Sequence, residues 1–209
     1  MNAEEIKVAS DYLRGGLAAD LEAGGDAFAG DSPMLLKFHG IYQQDDRDVR
    51  RQRTQAKQPL AHGCMVRASV PGGVISAEGW AALDALADIG DGTLRLTTRQ
   101  GVQYHLVPKG NLVDLVSEIN AAGLTTLGAC GDVVRNVTEA INVTGSPIYN
   151  QLSEYSQILS DYFKFESRSY VEIWLNDVQQ NPVTNERIYG KTYLPRKFKI
   201  AVTIAGDNS

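Results

Sequence analysis

Thr93-Leu94-Arg95-Leu96-Thr97-Thr98-Arg99-Gln100, followed by Gly101-Val102-Gln103-Tyr104-His105-Leu106-Val107, decides how this chain is read. β-Branched and aromatic residues dominate it, which predicts two neighbouring strands, Thr93–Thr98 and Val102–Val107. Strand side chains alternate between two faces. Leu94, Leu96 and Thr98 therefore share one side of the first strand, and Arg95, Thr97 and Arg99 the other. In the second, Gln103 and His105 alternate with Val102, Tyr104 and Leu106.

Upstream, Cys64–Val70 is a further strand, and Pro71-Gly72-Gly73 turns the chain. Ser76 is placed to cap a helix over 77–88 whose apolar face holds Trp80, Leu83, Leu86 and Ile89. Downstream, Asn111 opens a second helix with Leu112, Leu115 and Ile119 inward. Gly123 stops it, and Leu124–Leu127 is a short strand. The order is β-α-β-β-α-β, the split βαβ or ferredoxin-like unit of the α+β class, spanning 63–145. Before it, Ile6, Leu13, Leu17 and Leu21 predict a helix within 3–22, loosened at Gly15-Gly16. Residues 41–62 show no period and read as an extended arm, so 1–62 is an N-terminal helix and arm. After it, 150–163 predicts a helix, Tyr170–Leu175 a strand, 176–191 a loop, and Lys197–Ile204 a strand with Phe198, Ile200, Val202 and Ile204 on one face. That last segment, 146–209, is too small and open to close a core of its own and reads as the start of a further mixed α/β domain.

The chain has 209 residues, 43% of them hydrophobic and 22% charged, which is ordinary globular composition. No run is apolar enough for a membrane span, and the first residues lack the basic and apolar regions of a secretory signal, so a cytoplasmic protein is expected. Two cysteines, Cys64 and Cys130, cannot make a disulfide scaffold and read as packed thiols. His39, His62 and His105 have no zinc-site spacing, and no phosphate-binding glycine motif or nucleophile elbow occurs. Asn136-Val137-Thr138 and Asn142-Val143-Thr144 match the glycosylation pattern by chance. The net charge of −5 comes entirely from residues 1–50, with 5 basic and 10 acidic residues. That balance argues against a nucleic-acid partner. Local basic sites remain, notably Arg187, Lys191, Arg196, Lys197 and Lys199 with no acid between them.

One face of the small sheet thus gathers Arg67, Arg95 and Arg99 with Ser69, Thr97, Gln103 and His105, and no acid or lysine. Three guanidinium groups side by side are costly unless an anion neutralises them, and their planar forks suit carboxylates and oxyanions. The pattern predicts an anion-binding face, which Arg135 can extend. Lys197 and Lys199, on one face of the final strand, read alone as edge-strand lysines.

Four strings in order carry a resemblance. They are Lys37-Phe38-His39-Gly40-Ile41-Tyr42-Gln43-Gln44-Asp45-Asp46-Arg47-Asp48; the stretch from Thr93 to His105; Leu127-Gly128-Ala129-Cys130-Gly131-Asp132 with Arg135-Asn136-Val137; and Tyr193-Leu194-Pro195-Arg196-Lys197-Phe198-Lys199. Together they resemble the N-terminal portion of the haemoprotein (beta) subunit of the sirohaem and [4Fe–4S] sulfite reductases, with nitrite reductases as relatives. The resemblance implies reduction of sulfite to sulfide by six electrons during sulfate assimilation and cysteine biosynthesis. It implies that Arg95, Thr97, Arg99, Gln103, His105 and Arg196 hold sirohaem, and that Arg67, Arg135, Lys197 and Lys199 surround the sulfite oxygens. An NADPH flavoprotein subunit or a ferredoxin would donate electrons; the strings around Cys130 and Pro147 look somewhat closer to ferredoxin-using members. The family's two cysteine pairs that ligate the cluster are absent, so this chain resembles a portion whose C-terminal half lies elsewhere, and no turnover is expected of it alone. Family members commonly carry Asn where Val134 stands and Gly where Leu106 stands. The rival readings are a nitrite reductase portion and a non-catalytic anion- or tetrapyrrole-binding module.

Overall fold

The computed structural model describes residues 2–141, 145–175 and 188–206. Residues 176–187 of the expected loop at 176–191, the second chance glycosylation pattern at 142–144 and the final three residues lie outside the described residues. In chain order the first elements are α1 (Ala3–Ala9), α2 (Leu17–Glu22), α3 (Ser32–Leu35), β1 (Ile41–Asp45), α4 (Arg47–Gln55), β2 (His62–Ala68) and α5 (Ala77–Ala85). They are followed by β3 (Arg95–Leu96), β4 (Val102–Val107), α6 (Leu112–Ala121), β5 (Thr138–Glu139), α7 (Pro147–Phe163), α8 (Arg168–Trp174) and β6 (Ala201–Val202).

A four-stranded antiparallel sheet, ordered β1-β2-β4-β3, forms the centre. β4, α5, α6 and α7 form where their apolar periods predict. The Ser76 hydroxyl accepts from Gly79 N at 3.0 Å and caps α5 as expected. Asn111 stands at the start of α6 without a side-chain capping bond.

Six expectations are corrected. The helix over 3–22 is two helices. Asp11, Tyr12 and Leu13 take left-handed backbone between them, and this turn drives Leu13 and Leu17 into full burial. The extended arm at 41–62 is a strand and a helix. Every residue of β1 pairs with β2, from Ile41 opposite Val66 to Asp45 opposite His62. α4 begins where the Asp46 carboxylate accepts from Asp48 N at 2.9 Å, and it buries no residue at all, so it has no apolar face to betray it. The strand over Thr93–Thr98 is reduced to Arg95–Leu96. The strand over Leu124–Leu127 shrinks to one bridge, Thr125 to Ser69. β1 occupies the same edge of β2 just before it: Arg67 N donates to Gly40 O at 2.9 Å, and Ser69 N to Thr125 O at 2.8 Å. Tyr170–Leu175 belongs to helix α8, because the Ser167 hydroxyl accepts from Tyr170 N and the aromatic residues Tyr170 and Trp174, four apart, form its buried face. The strand over Lys197–Ile204 is regular only at β6, which runs parallel to β5, with a bridge from Phe198 to Val134. Phe198 is 56% exposed.

β4 also carries an irregularity. Cys64 faces Val107 while Val66 faces Tyr104, so one residue of β2 stands against two of β4. The alternation that would put Leu106 beside Tyr104 breaks there. Leu106 turns outward at φ +54, and Val107 takes the buried place.

The core is one cluster. It runs from Leu13 and Leu17 through Phe38, Val66, Tyr104 and Leu115 to Phe165, Trp174, Tyr189 and Tyr193. Polar bonds reach across it, among them two long-range ones. Trp174 Nε1 donates to His39 Nδ1 at 2.7 Å, and Lys7 Nζ donates to Leu194 O at 3.1 Å.

Candidate functional site

The sheet register sets the site. Gln103 on β4 lies opposite Arg67 on β2 and opposite Arg95 on β3, so the three form one row. With its amide oriented to satisfy its neighbours, Gln103 accepts from Arg67 Nε at 2.8 Å and donates to His105 Nε2 at 3.2 Å. Burial, then the Arg95 charge, pushes the His105 pKa down, so its ring is neutral at pH 7.

Arg99 reaches from the end of the β3–β4 hairpin, and its guanidinium lies 3.4 Å from Asn136 O. Burial and then the charges of Arg135 and Arg67 lower its pKa. Arg135 is held by its Nε–H to Gly131 O at 3.0 Å. Lys197 is fully open to solvent, yet its pKa is lowered, first by Arg135 and then by Lys199. Arg99 thus feels the charges of Arg135 and Arg67, and Lys197 those of Arg135 and Arg99, and among the described residues none of these four forms an ion pair with a carboxylate. That is the expected convergence of cations. Arg196 lines a cleft of about 370 Å³ together with Lys37, Tyr42, Arg135 and Lys197.

Two expected members stand differently. Arg95 is more than half exposed and pairs with Asp91 at 3.2 Å, an acid that reaches in from the turn before β3. The sequence pattern placed no acid on this face, and Asp91 corrects that reading. Thr97 spends its hydroxyl locally, accepting from Arg99 N at 3.3 Å and Gly101 N at 3.1 Å, so it shapes the turn that carries Arg99. Lys199 is exposed and bears on the site through its charge on Lys197.

Tyr42, Cys130 and Asn136 were not singled out as site residues. Cys130 Sγ lies 2.9 Å from an Arg67 terminal nitrogen and is fully buried; burial raises its pKa, against the pull of Arg67 and Arg135. Tyr42, on β1, has its pKa raised by burial and then by Cys130, while Arg135 opposes the rise. Reading 41–62 as an arm hid Tyr42. Asn136 is 4% exposed; its amide donates to Val70 O and Arg99 O at 2.8 Å each, and its oxygen accepts from Ser69. A residue so engaged is no glycan acceptor.

A family model described as the nitrite/sulfite reductase ferredoxin-like half domain matches residues 57–122. Over 98% of its length the chain is 43% identical to a protein of Shewanella pealeana named sulfite reductase [NADPH] hemoprotein beta-component, and 41% identical to the one of Shewanella baltica strain OS155. It spans only 37% of the length of these relatives. The fold of the Mycobacterium tuberculosis NirA protein is similar, with a TM-score of 0.67 at 22% identity, over 97% of this chain and 35% of that one.

Proposed function

We propose that this chain, which carries a nitrite/sulfite reductase ferredoxin-like half domain, supplies the anion-gripping part of a sulfite reductase haemoprotein. The observation that carries the reading is the set Arg67, Arg99, Arg135 and Lys197, gathered without a carboxylate partner. A doubly charged oxyanion and an acid-rich tetrapyrrole are the ligands such a set suits. Nitrite, with a single charge, calls for fewer cations, and the names of the relatives point the same way.

Sirohaem fits this donor set: Arg99, Gln103, His105 and Arg196 would hold its carboxylates, with Arg95, already paired to Asp91, and Thr97, which shapes the turn carrying Arg99, in lesser roles. When bound, it supplies electrons to the oxyanion at its iron. Arg67 and Arg135 orient the oxyanion and stabilise its charge as its oxygens leave. Lys197 Nζ, with a lowered pKa, is the group best suited to pass a proton to a departing oxygen, and Lys199 adds charge behind it. A [4Fe–4S] cluster does not fit. The two cysteines are buried and separate, and the described residues hold no group of three or more His, Cys, Asp or Glu suited to a metal. The cluster, and with it turnover, would need ligands from elsewhere. The relatives' names favour an NADPH-linked flavoprotein over ferredoxin as electron donor. Buried free thiols support a reducing, cytoplasmic setting, and no helix of the described residues is long and apolar enough to cross a membrane.

The test is a titration of the chain with sirohaem, followed by its visible absorbance. Arg99→Gln combined with Arg196→Gln weakens binding about tenfold or more, whereas Arg95→Gln, whose partner is Asp91, costs far less. Equal losses from both, or none, would overturn the reading.

A further inference from the structure

The cleft beside Arg135, Arg196 and Lys197 is also lined by Ala3, the first residue of α1, and by Asp132, the one acid among the described residues that line it. A carboxylate set among cations pairs with one of them unless another group holds it, and each such pair takes a charge away from an incoming anion. Asp132 is held from behind. Its partner is Lys7 of α1, whose Nζ lies 3.6 Å from Asp132 Oδ2 and 2.8 Å from Glu4 Oε1 and donates to Leu194 O at 3.1 Å. The Lys7 side chain is 0% exposed. Burying an ammonium is costly, and an apolar side chain would fill the same space at less cost, so the charge kept there has something to hold.

What it holds is the joint from which the cations of the cleft depart. Leu194 N donates to Asp132 O at 2.9 Å, and Phe198 N donates to the next carbonyl, Val133 O, at 2.9 Å. Pro195-Arg196-Lys197 is therefore a three-residue excursion with both feet on adjacent carbonyls. Beyond it, Arg135 N donates to Phe198 O at 3.1 Å, which sets Arg135 beside the second foot. Lys7 grips the first foot on both of its segments, at Leu194 O and at the Asp132 carboxylate.

We propose that Lys7 is a positioning residue of the oxyanion site: it sequesters the Asp132 carboxylate at the rim of the cleft, so that Arg135, Arg196 and Lys197 meet an anion with their charge intact. This role rests on the oxyanion reading of the site. Lys7 is buried and acts only through Asp132 and the joint.

Calorimetric titration of the intact chain with inorganic sulfate at constant ionic strength tests it. The ¹⁵N indole signal of Trp174, buried and bonded to His39, reports the fold. Lys7→Met weakens sulfate binding about tenfold, because the released carboxylate turns to the cations. Adding Asp132→Asn restores the affinity to within about threefold of the unsubstituted chain. Adding Glu4→Gln instead gives back the same net charge from outside the cleft and does not restore it. Should Lys7→Met disturb the Trp174 signal, Lys7→Gln takes its place, keeping a donor for Leu194 O without the charge, and the same pattern is expected. Unchanged affinity in the Lys7 variant, or rescue by Asp132→Asn no better than by Glu4→Gln, would overturn the proposal and leave the oxyanion reading standing. Failure of the unsubstituted chain to bind sulfate would overturn that reading, and the proposal with it.

Discussion

His39 is fully buried between Leu13 O, 3.0 Å from its Nε2, and Trp174, which donates to its Nδ1. That pair of contacts fits only the neutral ring, and burial lowers its pKa from 6.5 to about 4. The unfolded chain takes a proton near pH 6.5 and the folded chain does not, so the stability is complete above pH 6.5 and is lost as the pH falls toward 4. Urea melts across that range should show a loss of about 3 kcal/mol. His39→Gln, which keeps a donor and an acceptor, should flatten the slope. Leu106 offers a second check. It holds the left-handed backbone that glycine adopts freely. Leu106→Gly should leave the protein at least as stable, with a gain of up to about 1 kcal/mol by denaturant melts.

Among elements, the edge of β2 is the most constrained, because β1 and the Thr125 bridge share it end to end. Gly40 joins them at φ +81, and a Cβ there would fall 2.2 Å from Thr126 O. Gly40→Ala should therefore cost about 2 kcal/mol or more, seen as a lowered melting temperature. The same region shows what a sequence discloses. β4, α5, α6 and α7 bury one face and were legible from their periods. β1 is held largely by backbone pairing and α4 buries nothing, so neither has a period to read. α8 was misread because Tyr170-Val171-Glu172-Ile173-Trp174 is β-rich in composition, and the Ser167 cap outweighs that preference. At the site, alternation placed Arg67 and Arg99 on one face, although the strand expected to carry Arg99 stops at Leu96, and Arg135 extends that face from beyond the unit's last expected strand. The Asp91 partner of Arg95, the role of Tyr42 and the outward turn at Leu106 depended on turns and a bulge, which alternation does not describe.

For the whole molecule, gathered cations without counter-ions make a binding site and a liability at once. Divalent sulfate should raise the melting temperature more than chloride at equal ionic strength, since it binds the folded state alone. Arg135→Gln should shrink that difference by half or more, a change readable by scanning calorimetry. The contact of Lys7 with Leu194 has a consequence of another kind. Its partners lie 187 positions apart. A ribosome therefore releases the first helix long before the strap that completes its lysine exists. Until then the helix has nowhere to settle, and the nascent chain offers it to chaperones and proteases. Final packing of this helix thus waits on the stretch around Leu194.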